Sequence, residues 1–212
     1  MPFDAIVLAG GRSSRLDSAP KAEFTVDGVT LLDRTLAAVG GARRIVVVGP
    51  EPGRPLPDAV LLARENPPFS GPVAAIAAGL DALREGLVSP DGAAAVDAEP
   101  GDATLVLACD MPQVHLAVGA LEKGLAAHPD ADGVIAVDSD GREQPLAACY
   151  RTRAIVEAVA RRRAAGPLDG MRVFGLIDDL DLRPIVVPTG TTSDVDSWAD
   201  AARLSALPPT NR

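Results

Sequence analysis

The sequence predicts an α/β fold built on a mostly parallel sheet with one antiparallel strand. Apolar runs of strand length recur along the chain, and segments with apolar residues at helical spacing separate most of them. This alternation of strand and helix favours a parallel sheet with right-handed crossovers. A polar turn containing Asp140-Gly141 joins two of the runs directly and predicts an antiparallel hairpin. The predicted strands are 5–9, 45–49, 59–63, 104–109, 133–138, 146–150 and 184–187.

Helices are expected between the strands, because apolar residues in those segments repeat every three or four positions. In the first helix Leu32, Leu36 and Val39 fall on one face. The repeats of the other helices lie within 73–83, 116–125, 155–159 and 198–204.

Length, composition and charge limit the class of protein. A chain of 212 residues that is 47% hydrophobic suits one domain, which we expect at 1–207 with a flexible tail at 208–212. The alanine- and acid-rich stretch 87–103 is expected to be a mobile surface insertion with no assigned function. The net charge of −9 argues against nucleic-acid and membrane partners. No signal peptide or transmembrane run is recognisable, so we expect a cytoplasmic protein.

The first predicted strand leads into Gly10-Gly11 and then into a segment with three separated basic residues. Glycines at this point let the backbone turn sharply and direct N–H groups toward bound anions. Arg12, Arg15 and Lys21 can supply positive charge to the same phosphates. The third glycine of the dinucleotide fingerprint is missing, and Pro20 replaces the glycine that precedes the lysine of a Walker loop. The loop therefore predicts a polyphosphate site of another kind.

Acidic residues at two places are candidate ligands for a metal ion. Asp110 follows a buried strand, and ligands of open α/β sheets bind beyond the carboxyl ends of strands. Mg²⁺ takes one or two carboxylates together with phosphate oxygens and water. Asp194 and Asp196 alternate on an extended segment and therefore face the same side. The alternative role is helix capping, for Asp110 before a helix that could begin at Gln113 and for Asp196 before the helix expected to start at Ser197-Trp198.

Four features, in this order along the chain, resemble the MobA-like nucleotidyltransferases, the family of the molybdenum cofactor guanylyltransferases. The first is the glycine-rich and basic loop, and the second is Pro-Phe-Ser-Gly-Pro with the apolar helix after it. The third is Cys-Asp-Met-Pro at a strand end, and the fourth is Gln-Pro before a strand together with Asp-Val-Asp-Ser-Trp. These features occupy 8–21, 68–76, 107–112, 144–150 and 194–198.

The resemblance implies a Rossmann-like three-layer sandwich with a mostly parallel sheet and one antiparallel strand. It also implies a Mg²⁺-dependent enzyme that transfers GMP from GTP to molybdopterin and releases pyrophosphate. Its partners would be GTP, molybdopterin or another small phosphorylated acceptor, and, transiently, the enzymes that supply or receive the cofactor. Two alternatives stay open. One is a related nucleotidyltransferase for another base or acceptor, of the cytidylyl or sugar-phosphate type, and the other is a nucleotide-binding relative without turnover.

The resemblance also implies roles for individual residues. Arg15, Lys21 and Asp110 would be catalytic, and Asp110 and Asp196 would hold the metal. Either Glu65 or Asn66 would read the base: a carboxylate accepts from both guanine N1–H and the exocyclic amine, whereas an amide accepts only through its one oxygen. The implied nucleotide-binding residues are Leu8, Ala9, Gly10, Gly11, Arg12, Lys21, Glu65, Asn66, Ser70, Gly71 and Pro72.

On the acceptor side, the implied residues are Gln144, Pro145 and Arg172. A polar edge before a buried strand is the alternative explanation for Gln144-Pro145. A dianionic acceptor needs positive charge, for which Arg142 and Arg151 are further candidates. The chain departs from the family at Gly49, where relatives carry an asparagine after the second strand.

Overall fold

The computed structural model describes residues 1–11, 14–17, 19–85 and 101–209. Arg12 and the parts of the predicted insertion and tail at 87–100 and 210–212 lie outside the described residues. The strands are β1 (Phe3–Leu8), β2 (Thr25–Val26), β3 (Val29–Thr30), β4 (Ile45–Val48), β5 (Val60–Ala63), β6 (Ala103–Ala108), β7 (Gly133–Val137), β8 (Glu143–Arg151) and β9 (Leu182–Val186). The α-helices are α1 (Leu31–Ala38), α2 (Pro72–Glu85), α3 (His115–Ala127), α4 (Thr152–Ala165), α5 (Val173–Ile177) and α6 (Trp198–Arg203).

A seven-stranded sheet organises the molecule, in the order β5-β4-β1-β6-β8-β7-β9. Strand β8 runs antiparallel to its neighbours β6 and β7, and the remaining pairings are parallel. Every residue of the central strand β1 is buried, as expected for a parallel strand with helices over both faces. The predicted mostly parallel sheet with one antiparallel strand is confirmed, and all seven predicted strands are present.

The core consists of two layers of mostly aliphatic side chains, one on each face of the sheet. On one face Leu32 and Leu121 represent helices α1 and α3, which pack on the sheet together. On the other face Ile76, Ile155 and Leu176 represent α2, α4 and α5. This arrangement confirms the three-layer sandwich. Within the described ranges, no helix is both long enough and apolar enough to cross a membrane.

A third, smaller cluster joins the two ends of the chain. Leu16 and Phe24 from the N-terminal loop pack with Val195 and Ala201 near the C-terminus, and each of these side chains is buried. The backbones of Thr25 and Leu207 also exchange two hydrogen bonds of 2.8 Å. The predicted polyphosphate loop is therefore held against the segment that carries Asp194 and Asp196.

Two details differ from the sequence-based expectations. The hairpin of β2 and β3 was missed because two-residue strands carry no readable alternation, although Asp27-Gly28 is its turn signal, with both residues at positive φ. The predicted insertion 87–103 extends too far. The Gly101 N–H donates to Asp4 Oδ2 at 2.9 Å, and Ala103 pairs with Phe3 in the sheet.

Candidate active site

The candidate site lies where the parallel strands β1, β4, β5 and β6 end. The N–H of Ala9 donates to the carbonyl of Val48 at 2.9 Å, and the N–H of Cys109 donates to that of Leu8 at 3.0 Å. These hydrogen bonds continue the sheet pairing up to the point where the loops begin. Open α/β sheets bind ligands beyond the carboxyl ends of their strands, which is where these loops lie.

Two glycines shape the loop after β1. Gly11 has φ +138°, in the region that favours glycine. Across the loop, a Cβ atom on Gly49 would lie 2.8 Å from the carbonyl carbon of Ala9 and 2.9 Å from the nitrogen of Gly10. A side chain cannot fit there without moving the loop. The contact that the family's asparagine makes is thus not available from position 49.

Lys21 connects this loop to two carboxylates that are distant in sequence. Its ammonium group donates to Asp110 Oδ2 at 3.2 Å and also to Asp196 Oδ1. Burial by itself would lower the pKa of Lys21, but the two carboxylates outweigh it and the pKa is raised. Arg15 lies further out, with Nη1 4.0 Å from Asp196 Oδ2 and a side chain that is 76% exposed. Lys21 therefore stays charged at the centre of the site.

Asp110 does not cap a helix. Helix α3 begins at His115, and its N-cap position is Val114, so Asp110 lies four residues before the cap. Its side chain accepts the hydrogen bond from Lys21 instead. Burial raises the pKa of Asp110, and the nearby Lys21 ammonium offsets part of that rise. The carboxylate therefore faces the site and not the first turn of α3.

The acidic segment near the C-terminus is fixed against Asp110. The N–H of Val195 donates to the carbonyl of Asp110 at 3.0 Å, which places one acidic residue on each side of that contact. Ser197 caps helix α6, with its side chain accepting from the N–H of Asp200 at 3.2 Å, so the cap role does not fall to Asp196. Burial, and then the charges of Asp196 and Asp110, raise the pKa of Asp194.

Across the site, Glu65 is a buried carboxylate with one unused oxygen. The residue is 8% exposed, and Oε1 accepts from the N–H of Phe69 at 2.9 Å. Oε2 is buried and has no hydrogen-bond partner among the described residues. Asn66 is exposed. A buried acceptor without a donor is costly, so Glu65 is suited to a ligand with N–H groups.

The loop that follows Glu65 has a fixed shape. The hydroxyl of Ser70 donates to the carbonyl of Pro67 at 2.5 Å, and the carbonyl of Ser70 accepts from the N–H of Gly170 at 2.8 Å. Gly71 has φ +98°, and Pro72 begins helix α2, where proline is favoured because its φ is already helical. The backbone at 70–72 therefore borders both the site and the segment before α5.

A cavity of about 460 Å³ lies beside Lys21 and is lined by Asp110, Asp194, Asp196, Gln144, Pro145 and Arg172. Gln144-Pro145 belongs to a bulge in β8, since the register with β7 jumps from Ala148 to Gln144. The hydroxyl of Tyr150 donates to the carbonyl of Pro145 at 3.1 Å and holds this bulge. The structure thus brings Gln144, Pro145 and Arg172 to one cavity with the carboxylates.

The other two arginines considered for the acceptor lie elsewhere. Arg151 donates to the carbonyls of Leu125, His128 and Pro129 at the far edge of the sheet, so it was a wrong candidate. Arg142 closes the hairpin turn, where its N–H donates to Asp138 Oδ1.

Two side chains of the same cavity, Phe174 and Met111, were missed. Phe174 lies on a helix of five residues, which is too short to show a periodic pattern.

The site thus combines a glycine turn with a half-buried lysine that faces convergent carboxylates, beyond the carboxyl ends of the parallel strands. Residues 5–175 match the family model of the MobA-like NTP transferase domain. The chain belongs to this family.

The names of similar proteins are consistent with this family. The chain is 30% identical over 203 residues to the probable molybdenum cofactor guanylyltransferase of Mycobacterium tuberculosis, covering 94% of this chain and 91% of the relative. Two solved structures share the fold. Molybdopterin-guanine dinucleotide biosynthesis protein A from Archaeoglobus fulgidus has a TM-score of 0.65 at 18% identity, over 95% and 96% of the two chains. The 2-C-methyl-D-erythritol 4-phosphate cytidylyltransferase from Thermus thermophilus has 0.65 at 19%, over 96% and 97%.

Proposed function

We propose that this protein transfers GMP from GTP to the phosphate of molybdopterin and releases pyrophosphate. The observation that carries the proposal is the convergence of Lys21, Asp110 and Asp196 beside a glycine turn and an open cavity. The similarity, over nearly the whole chain, to the probable molybdenum cofactor guanylyltransferase of Mycobacterium tuberculosis supports GTP and molybdopterin as the substrates.

The reaction requires positioning and charge neutralisation and needs no covalent enzyme intermediate. An oxygen of the acceptor phosphate bonds to the α-phosphorus of GTP. The bond from that phosphorus to the bridging oxygen breaks, and both electrons leave with pyrophosphate. Lys21 and the more exposed Arg15 stabilise the negative charge that develops on the leaving group.

Mg²⁺ is the metal ion that the carboxylates suit. Among the residues that the structure describes, no group of three or more His, Cys, Asp or Glu side chains is arranged to hold a metal ion. Mg²⁺ does not require one, because phosphate oxygens and water complete its shell. Asp110 and Asp196 already converge on one cation, the Lys21 ammonium, and would hold the ion. When bound, it neutralises charge on the phosphates.

Guanine is the base that Glu65 favours. The unused Oε2 of Glu65 is a buried acceptor, and guanine offers two adjacent donors, N1–H and the exocyclic amine, which cytosine does not. The position of Glu65 next to the glycine loop supports this role, since a Cβ on Gly10 would lie 4.0 Å from Oε1.

The direct test is to incubate the purified protein with Mg²⁺, molybdopterin and GTP, CTP or UTP, and to identify the product by mass spectrometry. We expect the guanine dinucleotide and equimolar pyrophosphate. Asp110→Asn should abolish both without lowering the melting temperature, whereas Asp58→Asn at an exposed loop position should change neither. A cytosine dinucleotide would make the protein a cytidylyltransferase. Turnover of a different phosphorylated acceptor would refute molybdopterin, and no turnover with any acceptor would favour a binding protein.

A further inference from the structure

The cavity beside Lys21 has a polar part and an apolar part. Asp110, Asp196 and Arg172 belong to the polar part, and Phe174 and Met111 to the apolar part. Its volume of about 460 Å³ lies in the range of sites for small organic molecules. The acceptor that fits this cavity therefore combines a phosphate with a sizeable apolar or planar group.

Phe174 is the largest apolar side chain of this cavity, and it is 49% exposed. A single exposed phenylalanine is ordinary on a protein surface, but this one lines the cavity that also contains Asp110. Val173, Leu176 and Ile177 of the same short helix are buried in the core. These anchors fix the helix, so the ring is held at the cavity and is not covered by the protein.

We propose that the ring of Phe174 stacks on a planar heteroaromatic ring of the acceptor and selects such acceptors over aliphatic ones. This inference rests on the proposed function and names the side chain that would recognise the acceptor ring. Aromatic rings prefer offset-stacked or edge-to-face contacts with other rings. The phenyl ring of Phe174 offers a face for stacking and no hydrogen-bond partner for the hydroxyl groups of an aliphatic acceptor, so the selectivity arises at this side chain and not in the polar part of the cavity.

The segment before Phe174 supports this assignment. Arg172 lines the same cavity two residues earlier, so one short stretch presents a cation for a phosphate and a ring for stacking. The N–H of Gly170 donates to the carbonyl of Ser70 in the nucleotide loop at 2.8 Å. This hydrogen bond sets the position of the stacking segment relative to the nucleotide, as an in-line attack on the α-phosphorus requires.

A binding experiment tests the stacking role without turnover. Phe174→Trp places an indole at the cavity, and its fluorescence is followed while biopterin, a phosphate-free pterin, is added. We expect saturable quenching beyond that of the wild-type protein, whose Trp198 gives the background, and no quenching by glycerol 3-phosphate. Equal quenching of the variant and the wild-type protein would overturn the proposal.

A kinetic experiment measures selectivity. Phe174→Leu should raise KM for molybdopterin about three- to tenfold and leave KM for GTP unchanged, and Phe174→Tyr should restore the wild-type value. Val156→Ala, at an exposed position of α4, is the matched control and should change neither constant. An unchanged KM for molybdopterin in Phe174→Leu would refute the inference. If the wild-type protein forms no dinucleotide, the proposed function fails, and the fluorescence titration alone still decides the role of Phe174.

Discussion

Two contacts between carboxylates and cations lie at opposite ends of the strands of the same sheet. They differ in whether every charge and every carboxylate oxygen has a partner. At the amino edge, Asp4 is 1% exposed, and its two oxygens accept from Arg44 at 3.1 and 2.5 Å and from the N–H of Gly101. Arg44 also donates to the carbonyl of Leu83 at 2.6 Å. The charges match one to one, and both carboxylate oxygens have donors.

At the carboxyl edge, a single ammonium serves several carboxylates. Lys21 donates to both Asp110 and Asp196, and Asp194 lies close enough to feel their charges. Burial raises the pKa values of Asp110 and Asp194, which means that their charged forms are destabilised by the loss of contact with water. Asp4 and Arg44 form a closed ion pair of the kind that stabilises a fold, whereas at the site the carboxylates of Asp110, Asp194 and Asp196 outnumber the cations Lys21 and Arg15, an arrangement typical of functional sites.

The first prediction tests the closed pair. Asp4→Ala should lower the free energy of unfolding by about 3–5 kcal/mol, because it leaves Arg44 largely buried without its partner. Turnover per folded molecule should not change. The matched control is Asp81→Ala, which breaks the more exposed pair of Asp81 with Arg163 and should cost about 1 kcal/mol or less. Urea denaturation measures both, and equal losses would contradict the role given to Asp4.

The second prediction tests the open cluster. Lys21→Ala should lower kcat about 10²- to 10³-fold, since it removes a cation from the place where charge develops. Lys123→Ala, at an exposed position of α3, should have no effect. Pyrophosphate release and thermal melting are measured together. Normal turnover in Lys21→Ala would remove this lysine from the mechanism. A loss of activity that is explained by unfolding would mean that Lys21, like Asp4, stabilises the fold.

The third prediction concerns Glu65, which stands between the two cases because one of its oxygens is paired and the other is not. Glu65→Gln keeps the shape of the side chain but loses one acceptor. We expect the preference for GTP over CTP, taken as the ratio of kcat/KM values, to fall about tenfold. The melting temperature should stay the same. An unchanged preference would assign base recognition to other groups.

The secondary structure and the loop chemistry followed from local sequence. The apolar run of β1, the helical repeat of α2 and the Asp-Gly turn before β8 each depend on neighbouring residues, so continuous apolar runs, a helical repeat of 3.6 residues and turn residues were sufficient. The short elements were not readable for the same reason. The hairpin of β2 and β3 and the single turn of α5 contain too few residues for a pattern, and Phe174 was missed with α5.

The sequence by itself determined the fold class, the glycine turn after β1 and the placement of Asp110 at a strand end, because each is set by a short stretch of chain. Only the tertiary structure decided that Lys21 meets Asp196, which lies 175 residues away, and that Ser197 takes the cap. Both Asp196 and Ser197 are good cap residues, so local preference cannot choose between them. The packing of Leu16 and Phe24 against Val195 makes that choice, since it fixes which side chain faces the site.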